Sequence, residues 1–401
     1  MFLKQYCTAL ILLVATELIE AQYPCAPRTY KDGYSVCVCN STYCDSIEPP
    51  GQLQKGTGAL YYSSKQGARM RKTIVSSQRS APGQSKFLEI DSSQQFQKIF
   101  GFGATFTDAS MVNINSLPKE MGANIIKQYY SRESGIGYTF GRVPMGATDF
   151  STKGYTYDDV ENDFDLRNFA IPQDEILGDA FAAKHVAGIG LHWYDDRDFN
   201  AFLVNNTHYK WPQYFILSTE VDFVLSKTRE HVRQMKKRYG ELARTDWRNG
   251  KTHVVLGDWT AGAGYASNVI QDLHTWYSGW IDMNLALDTE GGPSWTKNIA
   301  DAPIIVNASA TEYYKQPMYH AIAHFSKFIQ PNATRIAETW MSLDTIGLDA
   351  VAFLNPDGTR TVVIHNYEML QVGVNIVEKT NPGYYYSFEM DPYSIATLTI
   401  N

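Results

Sequence analysis

The stretch Ile-Phe-Gly-Phe-Gly-Ala-Thr-Phe, residues 99 to 106, begins a strand–helix–strand pattern from which the fold class is predicted. It predicts a β-strand whose glycines permit close approach of a neighbouring backbone. A helix is predicted over residues 117 to 130, with Ser116 as N-cap and Pro118 at the first helical position. A second strand follows over residues 136 to 143. A strand, a helix and a strand in this order indicate a parallel β/α arrangement.

A second apolar run, Tyr-Phe-Ile-Leu-Ser-Thr-Glu-Val-Asp at residues 214 to 222, places the carboxylate of Glu220 near its C-terminal end. In a parallel α/β barrel, residues at the C-terminal ends of the strands form the substrate site. Glu220 is therefore a candidate catalytic residue. The alternative is a solvated glutamate in a loop, because short motifs are weak evidence.

The strand count predicts an α/β fold with an incomplete barrel of the (β/α)8 type and a separate all-β module. A closed barrel needs eight strands and roughly 250 residues, and the interval from Ile99 to Pro303 is shorter than that. From Leu348 onward, alternating strands and turns describe a sheet or sandwich. Only five barrel strands are predicted, over residues 98 to 105, 136 to 143, 187 to 194, 214 to 220 and 280 to 287.

The composition is that of a globular protein, with 19% charged and 44% hydrophobic residues. A net charge of -7 gives no basic surplus, which argues against nucleic acid as a partner. Residues 1 to 21 combine Lys4, an apolar run over residues 9 to 15 and a small residue before Gln22. This pattern predicts a cleavable secretory signal peptide. No other segment of the sequence has the length and apolar character of a membrane span.

Cysteines and glycosylation sequons agree with a secreted protein. Removal of the signal leaves Cys25, Cys37, Cys39 and Cys44, an even set that predicts two disulfides. A zinc site is the alternative, which the uneven spacing disfavours. Four Asn-X-Ser/Thr sequons are candidate glycosylation sites. They are Asn40, Asn205, Asn307 and Asn332.

Eight motifs, spread in order over nearly all of the mature chain, resemble those of the lysosomal acid β-glucosidases. These enzymes are the glucosylceramidases of glycoside hydrolase family 30, which are retaining glycosidases. The motifs are Cys-Val-Cys-Asn-Ser-Thr-Tyr-Cys at 37 to 44, Phe-Gln-Lys-Ile-Phe-Gly-Phe-Gly at 96 to 103, Gly-Ile-Gly-Tyr at 135 to 138, Arg-Val-Pro-Met at 142 to 145, His-Trp-Tyr at 192 to 194, Asn-Leu-Ala-Leu at 284 to 287, Pro-Ile-Ile-Val at 303 to 306 and Tyr-Lys-Gln-Pro-Met at 314 to 318.

The resemblance implies three structural parts. They are a β/α (TIM) barrel, a small disulfide-bearing N-terminal sheet, and an immunoglobulin-like β-sandwich built from residues before the barrel and from the C-terminus. We therefore expect the disulfide-bearing segment at residues 22 to 50 and the sandwich at residues 51 to 97 and 345 to 401. The incomplete barrel, which would carry the catalytic site, is expected at residues 98 to 344.

The same resemblance assigns roles to individual residues. Glu220 matches the nucleophile, at the end of the seventh barrel strand. Asp149 matches a residue that binds glucose hydroxyls, and Arg142 matches a buried arginine that would favour the ionised nucleophile. Considered without the resemblance, Asp149 is a turn residue and His192 a core histidine. The remaining matches are pocket positions at Phe150, Tyr194 and Asn298 and supporting positions at His192 and Trp280.

The family's general acid/base lies in an Asn-Glu-Pro motif, which is absent from this chain. The resemblance passes directly from about Glu175 to about Leu177, omitting the third, fourth and fifth barrel strands. General acid/base assistance is typically worth about 10²- to 10⁴-fold, and its loss would affect alkyl leaving groups such as ceramide most. The open strand edges would also destabilise the chain. Met283 stands in place of a family tryptophan near the sugar.

The resemblance implies hydrolysis of glucosylceramide to glucose and ceramide in sphingolipid catabolism, without a metal or organic cofactor. It implies action in the lysosome, with secretion as the alternative, and help from an anionic lipid membrane surface and a saposin-like activator. Other readings stay open. The chain is then a non-catalytic member that binds glycolipid or a partner, an incomplete isoform or gene model, or a relative acting on xylan or another β-glucoside.

Overall fold

The computed structural model describes residues 24–30, 33–83, 85–156, 188–192, 200–210, 212, 215–221 and 254–401. The predicted signal peptide, Tyr194 and the junction at residues 175 to 177 lie outside these ranges. The strands of the described part form three sheets. Its α-helices are α1 (Asp108–Asn115), α2 (Lys119–Tyr130), α3 (Asn200–Lys210), α4 (Trp259–His274) and α5 (Pro317–Ser326).

Five parallel strands form the barrel sheet in the described part of the chain. Every neighbouring pair is parallel, which confirms the predicted α/β class. The two outer strands of this sheet follow one another among the described strands, and the predicted gap falls between them. In spatial order the strands are β7 (Phe140–Arg142), β6 (Gly101–Thr105), β10 (Tyr277–Asp282), β9 (Phe215–Val221) and β8 (Gly188–His192).

Strand β6 packs closely against β7 because of its glycines. A Cβ atom at Gly103 would lie 2.2 Å from the carbonyl oxygen of Phe140, so this contact requires glycine. The predicted close backbone approach is confirmed. The bounds predicted for the last strand, residues 280 to 287, are wrong, since β10 ends at Asp282. The apolar residues continue through Leu287, and such a run carries no period that marks where a strand ends.

A mixed sheet joins the N-terminal segment to strands from late in the chain. Strand β2 (Ser35–Cys39) pairs antiparallel with β13 (Glu312–Lys315), which places Cys37 opposite Lys315 and Cys39 opposite Tyr313. The segment predicted at residues 22 to 50 therefore shares a sheet with residues that we had assigned to the barrel. Sequence periodicity does not reveal such long-range pairing. In order, the strands are β1 (Pro27–Thr29), β2 (Ser35–Cys39), β13 (Glu312–Lys315), β12 (Ile304–Asn307) and β11 (Leu287–Asp288).

Nine strands form the sandwich sheet, whose two outer strands approach each other through a bridge between Gln78 and Tyr385. One strand, β14, begins at Thr334, before the predicted boundary at residue 345. In order the strands are β18 (Tyr385–Met390), β17 (Val372–Glu378), β5 (Lys86–Lys98), β14 (Thr334–Trp340), β15 (Leu348–Leu354), β16 (Arg360–Asn366), β19 (Ser394–Ile400), β3 (Thr57–Ser64) and β4 (Arg71–Ser76).

Helices α4 and α5 contribute to one apolar core shared with the barrel strands and the sandwich. Polar contacts add to this packing. Ser267 Oγ of α4 lies 3.1 Å from His365 Nδ1 of β16. His324 of α5 lies 2.8 Å from Thr397 Oγ1 and 2.9 Å from Ser63 Oγ. Burial lowers the pKa of His324 to about 3, so the ring is neutral at both neutral and mildly acidic pH.

None of the helices in the described ranges combines the length and the apolar character that a membrane span requires.

Candidate active site

Glu220 is the penultimate residue of β9, which lies between β10 and the outer strand β8 of the barrel sheet. Its backbone pairs with His192 of β8, and the next residue, Val221, pairs with Asp282 of β10. The strand therefore brings Glu220 to the C-terminal edge of a parallel sheet, where α/β barrels bind substrates. The sequence placed Glu220 at this position in the strand. Its side chain lies outside the description, so its catalytic role stays a prediction.

His192 is the last residue of β8 and is exposed. The interpretation of this residue as a core histidine is therefore wrong. The strand ends here, and a side chain at the strand terminus meets solvent rather than the packed sheet interior. His192 lies in backbone register with Glu220, so the two residues occupy the same level of adjacent strands.

Asp149 and Asn298 meet across two loops at the C-terminal side of the barrel sheet. Asn298 Nδ2 donates a hydrogen bond of 3.1 Å to Asp149 Oδ2. Asp149 follows β7, whereas Asn298 comes after β10 and β11. The sequence assigned both residues to sugar binding, and the structure brings them together. A carboxylate beside an amide offers both acceptors and a donor to sugar hydroxyls.

Arg142 ends β7, and its Nη1 lies 3.7 Å from the sulfur of Met283. Met283 directly follows β10 and is buried. Arg142 is half-buried, so the expectation of a buried arginine is wrong. The reason is its place on an outer strand of the sheet. Two strands, β6 and β10, separate β7 from β9.

Phe150 and Trp280 are core residues. The side chain of Phe150 is 2% exposed and belongs to an apolar cluster that includes Met283 and Ala109. Phe150 therefore packs in this cluster while the adjacent Asp149 is exposed, and its assignment to the sugar pocket stays a prediction. Trp280 is fully buried, and its Nε1 donates to Asn268 Oδ1 of α4 at 2.9 Å. Its role in supporting the site stays a prediction.

Sequence reasoning missed Trp295, which lies on the same loop as Asn298. The indole Nε1 donates to the carbonyl of Thr148 at 2.8 Å, and the Trp295 backbone N–H donates to Ser151 at 2.9 Å. The ring nevertheless remains 50% exposed. The motif Pro-Ser-Trp at 293 to 295 was visible in the sequence, but nothing local indicated that it meets the loop carrying Asp149.

A second missed contact lies below this surface. Thr107, the N-cap of α1, donates from Oγ1 to Asn284 Oδ1 at 2.7 Å. Ser110 Oγ lies 2.9 Å from Thr107 Oγ1 and accepts a hydrogen bond from the backbone N–H of Ala286 at 3.2 Å. These bonds fix the segment after β10 against the start of α1. The geometry of the loop that leads to Trp295 and Asn298 begins at this anchor.

The four cysteines form two disulfides, as predicted. The pairs are Cys25 with Cys37 and Cys39 with Cys44. Both disulfides consume the thiolates that a zinc site would need, so the zinc alternative is wrong. His320 Nε2 lies 3.4 Å from Cys37 Sγ, but that sulfur is already bonded.

The four sequons differ in accessibility. Asn332 is exposed and adopts a positive φ of 67°. Asn40, Asn205 and Asn307 are half-buried. The amide of Asn307 donates to the hydroxyl of Tyr314 at 3.0 Å, and glycosylation there would leave its nitrogen a single N–H. Asn332 is the sequon that we expect to be glycosylated most readily.

Comparison with known proteins shows where this arrangement belongs. The profile of the glycosyl hydrolase family 30 TIM-barrel domain matches residues 99–176 and 172–329. The profile of the family 30 β-sandwich domain matches residues 332–398. A Caenorhabditis elegans protein named glucosylceramidase 4 is 30% identical to this chain. The alignment covers 94% of this chain and 95% of that protein. Mouse lysosomal acid glucosylceramidase is 29% identical over 90% and 94%.

Solved structures share the fold at lower identity. SrfJ from Salmonella typhimurium superposes with a TM-score of 0.68 at 17% identity, covering 86% of this chain and 99% of that one. An endo-β1,6-glucanase gives a TM-score of 0.64 at 16% identity with the same coverage. The two family profiles, over the barrel and the sandwich, define a glycoside hydrolase of the TIM-barrel class. The chain belongs to glycoside hydrolase family 30.

The alignments also show how this chain departs from its relatives. The barrel profile matches as two segments that meet at residues 172–176. The alignment with the C. elegans relative extends over 518 residues, although this chain has 401. At least 117 aligned positions of that relative therefore have no counterpart in this chain. The two barrel segments meet at the point where the sequence analysis found the omitted strands.

Proposed function

We propose that this chain is a β-glucosidase of the glucosylceramidase branch, with Glu220 as the nucleophile and no general acid/base in the family's position. The observation that carries the proposal is the placement of Glu220 at the C-terminal edge of β9, in a chain of glycoside hydrolase family 30. The pair of Asp149 and Asn298 supports it, because these loops present a carboxylate and an amide to a sugar.

The reaction would start with attack of the Glu220 carboxylate on the anomeric carbon. The bond to the leaving oxygen breaks as the ester to Glu220 forms, and water later cleaves that ester. In a retaining glycosidase a second carboxyl group protonates the leaving oxygen and then activates the water. The sequence contains no Asn-Glu-Pro motif to supply it. An activated aryl leaving group departs without a proton, whereas an alkoxide such as that of ceramide does not.

The natural substrate would be glucosylceramide or a related β-glucoside, processed in the secretory pathway or lysosome. The supporting features are the predicted signal peptide, the two disulfides and the likeness to mouse lysosomal acid glucosylceramidase. An anionic lipid surface and a saposin-like activator are the partners that follow from this assignment.

Hydrolysis of paired substrates tests the proposal. The full mature chain is assayed on an aryl β-glucoside and on an alkyl β-glucoside, beside Glu220→Gln and a control, Glu175→Gln, at the junction. We expect aryl hydrolysis that falls by about 10³-fold or more in Glu220→Gln, the scale of a lost nucleophile. We expect the unmodified chain to hydrolyse the alkyl β-glucoside about 10²- to 10⁴-fold more slowly than the aryl β-glucoside. Equal aryl rates in Glu220→Gln and the unmodified chain would refute the assignment of Glu220.

A second candidate function is favoured by one observation. The chain retains the Asp149 and Asn298 pair but lacks the acid/base motif, as expected of a protein that binds β-glucosides without cleaving them. Such a protein would bind the glucoside, and neither substrate would be hydrolysed. Binding without turnover in the same assay would select this function over the enzyme.

A further inference from the structure

Trp295 is an exposed aromatic residue on the loop that also carries Asn298 of the candidate site. Trp295 is 50% exposed, more than any other tryptophan in the described part of the chain. Trp259 and Trp280, by contrast, are buried. A large ring left in water loses the stabilisation that its burial would give. Exposed aromatic surface that is held rigidly is therefore a candidate contact for a ligand.

The ring of Trp295 is held from one side. A Cβ atom at Gly154 would lie 3.2 to 3.4 Å from three carbons of the six-membered ring, so the backbone of Gly154 covers that face. The indole N–H is fixed to the carbonyl of Thr148 at 2.8 Å. The backbone N–H of Trp295 is fixed to Ser151 at 2.9 Å. Half of the side chain is left open to solvent.

The same two loops carry the polar pair of the site. Thr148, which accepts from the indole, precedes Asp149, and Asn298 lies three residues after Trp295. Asn298 is fixed to its loop, since its backbone N–H donates to Ser294 Oγ at 3.1 Å. It is joined to Asp149 at 3.1 Å. One pair of loops therefore presents a flat apolar ring beside a carboxylate and an amide.

We propose that Trp295 is a stacking platform for the sugar ring of a β-glucoside whose hydroxyls are held by Asp149 and Asn298. The inference rests on the proposed function. One face of a pyranose consists mainly of C–H groups, which pack on an aromatic face and bury apolar area. The hydroxyls at the rim of the sugar are then free to bond with the carboxylate and the amide. Gly154 is part of the platform, because a side chain there would displace the ring.

The test measures binding and tryptophan exposure without turnover. Methyl 1-thio-β-glucoside is titrated by calorimetry into the unmodified mature chain, Trp295→Phe and Trp295→Ala. Tyr384→Ala serves as the control, since Tyr384 is an exposed aromatic residue directly before β18 of the sandwich sheet. In parallel, acrylamide quenching of tryptophan fluorescence is measured with and without the thioglucoside.

We expect Trp295→Ala to weaken binding about three- to tenfold, the size of one aromatic contact. Trp295→Phe keeps a ring but loses the indole N–H, so its Kd should stay within about threefold. The thioglucoside should protect the unmodified chain from acrylamide, and this protection should disappear in Trp295→Phe. Tyr384→Ala should match the unmodified chain in both measurements.

Three results would overturn the inference. Equal weakening in Trp295→Phe and Trp295→Ala would mean that the indole N–H clamps the loops and that the ring does not stack. Unchanged binding in Trp295→Ala, with no protection from acrylamide, would remove the platform and leave the proposed function standing. No binding by the unmodified chain would refute the inference together with the proposed function.

Discussion

Asn298 Nδ2 donates to Asp149 Oδ2 at 3.1 Å and so joins two loops that are 149 residues apart in sequence. The first loop follows β7 of the barrel sheet and the second follows β11 of the mixed sheet, and the hydrogen bond fixes one loop to the other. Neither residue is buried, which leaves both side chains available to a ligand. This contact makes the site testable separately from Glu220.

Replacement of Asp149 should reduce substrate binding more than replacement of Asn298. A hydrogen bond to a charged group is worth about 1.5–3 kcal/mol, so Asp149→Ala should lower kcat/KM for an aryl β-glucoside by roughly ten- to a hundredfold. Asn298→Ala removes a neutral donor and should cost about tenfold or less. Steady-state kinetics of both variants test this. A larger loss in Asn298→Ala would show that the amide is the main sugar contact.

Azide should accelerate turnover if no general base assists the second step. An aryl β-glucoside forms the ester with Glu220 rapidly, and hydrolysis of that ester limits the rate. Azide is already anionic and attacks the anomeric carbon without a base, while the bond to the Glu220 carboxylate breaks. We expect a rate increase of about tenfold or more and a β-glucosyl azide product. No acceleration, with glucose as the sole product, would indicate that another carboxylate supplies the base.

The buried ion pair of Lys315 and Asp45 should stabilise the junction between the disulfide sheet and the barrel helices. Lys315 Nζ lies 3.0 Å from Asp45 Oδ1 and donates to Gln128 Oε1 of α2 at 2.7 Å. Burial lowers the pKa of Lys315, and the Asp45 carboxylate opposes that shift. Asp45→Asn would leave a buried cation unpaired, which typically costs about 3–5 kcal/mol of unfolding free energy.

Chemical denaturation measures this cost, and an exposed ion pair provides the control. Arg28 and Glu312 form a salt bridge in which the arginine side chain is 42% exposed. Glu312→Gln should therefore change the free energy of unfolding by about 1 kcal/mol or less. Similar losses in Asp45→Asn and Glu312→Gln would contradict the role given to the buried pair.

His324 should make the protein less stable as the pH falls. Its pKa is about 3 in the folded chain, below the ordinary value of 6.5, because burial disfavours the charged ring. The unfolded chain therefore takes up the proton first. The stability contribution is complete above pH 6.5 and is lost as the pH falls toward 3. By pH 5 the loss from this group is about 2 kcal/mol.

The variant His324→Asn removes this titration and retains a donor and an acceptor for Thr397 and Ser63. The Tm of the variant should fall less between pH 7 and pH 5 than the Tm of the unmodified chain. The same fall in both proteins would show that His324 does not contribute to acid sensitivity.

Local patterns in the sequence predicted individual strands and helices better than they predicted which strands pair with one another. The glycines of β6, the strand ending near Glu220 and the alternating strands after Leu348 each follow from short-range periodicity, and the structure contains them. Pairing between distant segments was not visible. The contact of β2 with β13 and the early start of β14 in the sandwich arise from tertiary pairing, which carries no local signal.

The candidate site shows the same division. Asp149 and Asn298 were assigned to sugar binding from the family resemblance, and the structure brings them into contact. Phe150 was assigned to the pocket from the same resemblance, and its ring is buried while the adjacent Asp149 is exposed. Trp295 was missed because its role depends on a loop remote in sequence.

The central claim is that Glu220 is the nucleophile, and trapping its glycosyl ester tests this most directly. The soluble, monodisperse mature chain is incubated with an aryl 2-deoxy-2-fluoro-β-glucoside, and its peptides are analysed by mass spectrometry beside Glu220→Gln. An activated leaving group does not need the missing acid, and fluorine at C2 slows cleavage of the ester. We predict a fluoroglucosyl adduct on the peptide containing Glu220 and none in Glu220→Gln. No adduct, or one on a different carboxylate, would contradict the claim.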